Sequence, residues 1–385
     1  MRVLIAPDSF KESMSAADVA HAIAAGVRDV LPGADIVCVP MADGGEGSLD
    51  AVIAAGSGER RHAIVENANG EPCQADWAWL GDGCAFVEIA AAAGLEQIPV
   101  EERDPLKATS FGVGQLILRA LDAGARRITV GLGGSACNDG GAGMLQALGV
   151  GLFDATGRAL ELGGAALQQL STVTLDALDS RLRETVFEIA MDVNNPLCGP
   201  LGASAVFGPQ KGATQEQVGQ LDTALAHFAR VCATTLGKDE QHTPGAGAAG
   251  GLGFAIKSFL NAAFKPGVEI VAELSGLPQA MRGADLVYTG EGRMDAQTLH
   301  GKTPAGVAAY AKALGIPVIA IVGSLGEGYE ALYKAGITAA FSLAPGPITL
   351  ALACQDAPRY LQQRAGDILR VWLAGSGIKP VADSS

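Results

Sequence analysis

The stretch 128–144, Ile-Thr-Val-Gly-Leu-Gly-Gly-Ser-Ala-Cys-Asn-Asp-Gly-Gly-Ala-Gly-Met, constrains this chain more than any other. A β-branched run delivers the backbone into a loop with six glycines, and the helix-like Met144-Leu-Gln-Ala-Leu148 follows. Glycine lets N–H groups turn inward and approach a ligand closely. A helix start beyond such a loop favours bound negative charge. Gly133, Gly134 and Gly140 are candidate backbone donors, and Ser135, Asn138 and Asp139 add hydroxyl, amide and carboxylate groups where a phosphate or its metal would sit. The competing reading is a tight strand-to-helix turn, which needs far fewer glycines.

The same grammar recurs along the chain. Apolar runs empty into Pro7-Asp8-Ser9-Phe10-Lys11, Pro40-Met-Ala-Asp43-Gly44-Gly45-Glu46-Gly47, Asp192-Val-Asn194-Asn195-Pro196 and Thr289-Gly290-Glu291-Gly292-Arg293-Met294-Asp295. Glycine joined to carboxylate or amide after a strand is the pattern of open α/β sheets, which bind ligands beyond their strand carboxyl ends. One such junction is ordinary; repetition marks a site.

At 385 residues the chain fits two domains. Its net charge of −14 argues against nucleic acid or anionic membrane as a partner. That charge also means a phosphate site must be made electropositive locally, by helix N-termini, a divalent cation and placed bases such as Lys11, Lys211, Arg293 and Lys302. Seven scattered cysteines without a Cys-x-x-Cys pair read as reduced thiols in a cytoplasmic protein. The first apolar run is short and ends at Pro7-Asp8, unlike a signal peptide. Glu88 and Gly94 interrupt the longest apolar candidate, so no transmembrane span is expected. Residues 379–385 read as a frayed end.

The first sixty residues read as βαβα: strand 2–6, a helix near 15–30 capped by Ser15, strand 36–39 and a helix near 46–55. Residues 60–90 read as a meander with turns at Asn69-Gly70 and Gly81-Asp82-Gly83, and 149–160 as a hairpin. A long helix spans 214–236 and stops at Gly237. The last third resumes β/α alternation, with strands 285–289, 316–322 and 338–343 and helices 304–314 and 327–335. The fold class is therefore α/β. A Rossmann-like parallel-sheet domain comprises 1–62 and 268–385, a second α/β domain, 63–267, is inserted into it, and the active site lies in the cleft between them.

Several motifs have bland readings. Gly131-Leu-Gly133-Gly-Ser-Ala136 matches the dinucleotide fingerprint, and Asp154 lies at a later strand end, so an NAD-dependent hydroxy-acid dehydrogenase stays open. Against it, the polar Cys-Asn-Asp-Gly-Gly intervenes where the fingerprint helix should begin. The only histidine inside a motif is His300. Gly301-Lys302-Thr303 resembles the end of a Walker loop, but Ala296 occupies the place of the upstream glycine. Asp8, Asp43, Asp192 and Asp295 each sit at or just beyond an apolar run, where a single aspartate is usually a cap. Together they suit phosphoryl transfer, which needs a carboxylate for the acceptor proton and oxygen ligands for Mg²⁺. Asp192, without an adjacent base, suits the former; Asp43 with Glu46 suits the latter. The five histidines show no zinc spacing.

Taken in order, these blocks resemble the class I glycerate kinases over the chain to about residue 375. The likeness is carried by Ala6-Pro-Asp-Ser-Phe-Lys11, the 40–47 and 131–144 blocks, Asp192-Val-Asn-Asn-Pro-Leu-Cys-Gly199, Phe207-Gly-Pro-Gln-Lys-Gly-Ala213, Gly247-Ala-Ala-Gly-Gly-Leu-Gly253 and the run from Thr289 to Lys302. Glu12 stands where a glycine is common, and Cys137 where threonine is common.

The resemblance implies ATP- and Mg²⁺-dependent phosphorylation of D-glycerate to 2-phosphoglycerate. A 3-phosphoglycerate-forming kinase, and a sugar-acid sensor without turnover, are the remaining alternatives. On this reading the 131–143 loop cradles the ATP phosphates, and Asp43, Asp139 or Asp295 holds Mg²⁺. Asp8, Ser9, Lys11, Arg293 and Lys302 bind substrate, with Lys11 and Arg293 on the glycerate carboxylate or the transferring phosphoryl group. Asp192 takes the hydroxyl proton. The expected partners are small molecules, and the expected assembly is a monomer or homodimer.

Overall fold

The computed structural model describes residues 1–11, 13–299 and 301–376; Glu12, His300 and the segment 377–385, with the end expected to fray over 379–385, lie outside the described residues. The chain forms two compact units: Met1–Asp43, Asp50–Ser57 and the chain from Pro266 make the first, Gly44–Leu49 and Gly58–Lys265 the second. Both are α/β.

The first unit is built on an all-parallel sheet of five strands in the order Ala339–Ser342, Val318–Val322, Leu286–Thr289, Arg2–Ile5, Asp35–Cys38. Its central strands are apolar on both faces, as a sheet covered on both sides by helices requires: all five residues of Val318–Val322 are buried, as are Val3, Leu4 and Ile5. The helix Ala16–Val30 starts where Ser15 accepts the Asp18 amide, and it buries Val19, Ile23 and Val27. It packs on the C-terminal helix Ala357–Ser376. From Arg2–Ile5 the chain steps outward to Asp35–Cys38; from Leu286–Thr289 it steps outward the other way, through Val318–Val322 to Ala339–Ser342. Strand order therefore reverses between Arg2–Ile5 and Leu286–Thr289, the place where an open α/β sheet leaves a crevice for ligand.

The second unit carries a six-stranded mixed sheet in the order Ala262–Lys265, Val186–Ala190, Arg127–Gly131, Cys84–Glu88, Pro72–Gly81, Glu59–Glu66. The first four strands are parallel and the last three form the antiparallel meander. Phe86, Phe187, Phe228 and Phe254 fill its core, the last two edge to face. The helix Gln215–Leu236 opens with a reciprocal Thr214/Gln217 capping box and ends at the left-handed Gly237.

Two local expectations change. The 149–160 hairpin is reduced to one bridge between Phe153 and Ala159, and the strand Gly151–Phe153 finds its ladder partner in Thr172–Thr174. The cause is Asp154, whose Oδ1 accepts from the Thr156 amide and hydroxyl and the Arg158 amide, curling 154–158 into a tight turn. The helix expected over 327–335 is only the short Ala331–Ala335. The cysteines among the described residues are unpaired, and no described helix is long and apolar enough to cross a membrane.

Candidate active site

In the first unit the carboxyl ends of adjacent strands deliver Asp8, Asp43 and Glu291 around the reversal point. The Asp8 amide donates to the Gly290 carbonyl at 2.9 Å, which ties the loop after Arg2–Ile5 to the loop after Leu286–Thr289. Asp8 Oδ2 accepts from Thr303 Oγ1 at 2.6 Å, and Oδ1 accepts from the Ser9 amide at 2.7 Å. These bonds do not offset burial and the nearby charges of Asp43 and Glu291, which together push the Asp8 carboxyl up to about 7.

Glu291, buried, accepts from Thr298 Oγ1 at 2.6 Å and pairs with Lys302 Nζ at 3.4 Å. Burial also raises its pKa, against the pull of Thr298 and Lys302. Lys302 is the N-cap of the helix Thr303–Ala313. Arg293 and Asp295 pair at 3.2 Å, with Arg293 largely in solvent; Lys11 is exposed and Ser9 half-buried. Glu291 stood in a recognised motif, yet only its buried position between Thr298 and Lys302 marks it as a site residue.

In the second unit the glycine loop is packed against protein along most of its length. A Cβ at Gly133 would lie 2.4 Å from Gly45 Cα, so the 40–47 motif supplies the glycine that receives it. A Cβ at Gly250 would lie 2.1 Å from the Cys137 carbonyl, so the 247–253 motif is the floor under residues 137–140. Gly140 is buried and its amide donates to the Gly250 carbonyl at 2.9 Å.

Asp139 has an occupation different from that of a metal ligand. Fully buried, it accepts from the Ser110 amide and hydroxyl, both at 2.8 Å, from the Gly141 amide at 3.0 Å and from the Gly143 amide at 3.2 Å. The anion seated at the start of the helix Ala142–Ala147 is Asp139 itself. Asn138 Nδ2 donates to Ser204 Oγ at 2.8 Å, while its buried Oδ1 has no partner among the described residues. Ser135 accepts from the buried Lys211 ammonium at 3.0 Å. Lys211, noted in sequence only as one of several bases, belongs with the loop. Asp192 is exposed beyond the strand Val186–Ala190.

The dinucleotide reading does not survive this geometry. The helix begins at Ala142, six residues past Ala136, and Asp154 is consumed by its own turn outside the six-stranded sheet. No cluster of three or more metal-ligating side chains is assembled among the described residues. Mg²⁺ characteristically uses one or two carboxylates together with substrate phosphates and water. Asp43, half-buried and already repelling Asp8, is a suitable oxygen donor.

A family model described as the glycerate kinase family matches residues 3–373. The glycerate 2-kinase of Escherichia coli strain K12 is 51% identical over 344 residues, covering 89% of this chain and 90% of that one. The glycerate kinase of Bacillus subtilis strain 168 is 49% identical over 369 residues, covering 96% and 97%. A crystal structure assigned to glycerate kinase 2 of Salmonella typhimurium LT2 superposes with a TM-score of 0.88 at 47% identity, over 98% of this chain and 100% of that one.

Proposed function

The chain belongs to the glycerate kinase family, and we propose that it transfers the terminal phosphoryl group of ATP to D-glycerate, releasing ADP and 2-phosphoglycerate. The observation that carries this reading is the 51% identity to a relative named glycerate 2-kinase, over an alignment that covers 89% of this chain.

The residues divide the work by their chemistry. Lys11 and Arg293, two exposed cations of the first unit, bind the glycerate carboxylate or the transferring phosphoryl group. Lys302, anchored on Glu291, adds positive charge at the N-terminus of its helix. Asp8 and Ser9 sit at the strand reversal point and accept or donate to the substrate hydroxyls. Asp192, solvent-accessible beyond its strand, takes the proton of the attacked hydroxyl.

In the glycine loop, Gly133, Gly134 and Ser135 contact the ATP phosphates, while Asn138, Asp139 and Gly140 hold the loop in shape. Mg²⁺, held through Asp43 and Asp295, would neutralise phosphate charge that develops during transfer.

The test is ADP release with ATP, Mg²⁺ and D-glycerate, with the product resolved by phosphorus NMR. Glycerate-dependent ADP and a 2-phosphoglycerate resonance are expected. A 3-phosphoglycerate resonance would keep the kinase and reassign the hydroxyl; absence of glycerate-dependent turnover would reject the acceptor.

A further inference from the structure

In the glycine loop several hydrogen-bond donors have no acceptor among the described residues. Lys211 closes the short turn Pro209–Lys211, is only 2% exposed, and donates to Ser135 Oγ at 3.0 Å and to the Cys137 carbonyl at 2.6 Å. An ammonium has three protons and no lone pair, so Ser135 faces Lys211 as an acceptor and must send its own hydroxyl proton elsewhere. Among the described residues nothing accepts that proton, and nothing accepts from the amides of Gly133, Gly134 and Ser135. Gly134 is left-handed, at φ +71°, the conformation that turns successive amides toward a common anion. The neighbouring amides of Gly140, Gly141 and Gly143, by contrast, are all taken by Gly250 and Asp139.

We propose that Gly133, Gly134 and Ser135 form a seat for a phosphate of the donor nucleotide, and that Lys211 is the positioning residue that holds the Ser135 hydroxyl in its donating orientation. The proposal rests on the phosphotransferase reading above, which seats phosphate on this half of the loop, and adds Lys211 as the residue that orients the seat. It also shows how a chain of net charge −14 prepares a place for an anion: the cation is buried behind a hydroxyl, and the hydroxyl faces the ligand.

The test compares the wild type with Ser135→Ala, Lys211→Met, Lys211→Arg and the Ser135→Ala/Lys211→Met double variant. ATP binding is measured by calorimetry without glycerate, and KM for each substrate by steady-state kinetics. Ser135→Ala should weaken ATP binding roughly 10- to 100-fold and leave the glycerate KM within about twofold, because one hydrogen bond to a charged group is lost. Lys211→Met should match it, Lys211→Arg should recover most of the loss, and the double variant should bind no more weakly than either single variant. Losses that multiply in the double variant, or a glycerate KM that rises while ATP binding holds, would overturn the proposal. Thermal unfolding checks each variant; if Lys211→Met does not fold, Ser135→Ala and Lys211→Arg still decide. A wild type that binds ATP but transfers nothing to glycerate would refute the acceptor assignment, while calorimetry would still judge the phosphate seat.

Discussion

Thr303 donates its hydroxyl proton to the Asp8 carboxylate at 2.6 Å across 295 residues of sequence. The bond joins the loop that ends the strand Arg2–Ile5 to the first residue of the helix Thr303–Ala313, on either side of the point where strand order reverses. It holds in place a carboxyl group that burial and the charges of Asp43 and Glu291 otherwise disfavour as an anion.

That conflict predicts a pH dependence of stability. Asp8 is raised from 3.8 to about 7 in the folded protein, so between those values the native state keeps a proton that the unfolded chain releases. Stability therefore falls as pH rises through this window and stays lower above it. Between pH 5 and 8 the wild type should lose about 2–3 kcal/mol more in urea unfolding than Asp8→Asn does. Parallel curves for the two proteins would show that Asp8 ionises without strain.

Asp192→Asn tests the proton acceptor. The amide preserves size and polarity but cannot take a proton, so turnover should fall about 100- to 10,000-fold while ATP affinity changes little. Near-normal turnover would move the role to another carboxylate, with Asp8 the first to examine, since its pKa lies near neutrality.

Local signals were readable where the cause is local. Ser15 and Gly237 mark helix ends through their own backbone chemistry, and the structure has those ends. The parallel strands of the first unit follow from their apolar runs. The glycine loop was ambiguous for a physical reason: glycine serves a ligand or a neighbouring backbone equally well, and only coordinates reveal Gly45 against Gly133 or Gly250 against Cys137. The partners of Asp139 are not legible in the sequence because Ser110, one of them, stands 29 residues away. Lys211 was separated by 76 residues from the hydroxyl it meets.

Asp139 should behave as a structural clamp. Replacing it with Asn removes the charge that two hydroxyl- or amide-bearing segments converge on, and places donor hydrogens against the donors of Ser110, Gly141 or Gly143. We expect about 2–4 kcal/mol of lost stability in urea unfolding, and an Mg²⁺ concentration for half-maximal activity within about threefold of wild type. A metal ligand would show the reverse: little change in stability and a large shift in Mg²⁺ requirement.

Gly250 offers a matched test of why the loop needs its glycine floor. Gly250 and Gly157 both have positive φ, +67° and +83°, so alanine at either position meets the same left-handed backbone penalty. Their surroundings differ. A Cβ at Gly157 meets nothing within 4 Å, whereas one at Gly250 would lie 2.1 Å from the Cys137 carbonyl and 2.8 Å from Asn138 Cα. Gly157→Ala should therefore cost only the conformational term, about 1–2 kcal/mol. Gly250→Ala must also push residues 137–138 away, and should cost at least about 3 kcal/mol in all. Because the Cys137 carbonyl also accepts from Lys211, the displacement should reach the Ser135 hydroxyl and weaken ATP binding, an effect absent from Gly157→Ala. Calorimetry and urea unfolding on the two variants separate the outcomes. Equal losses of stability would mean that the loop yields to the added methyl and that the close contact between Gly250 and Cys137 carries little energy.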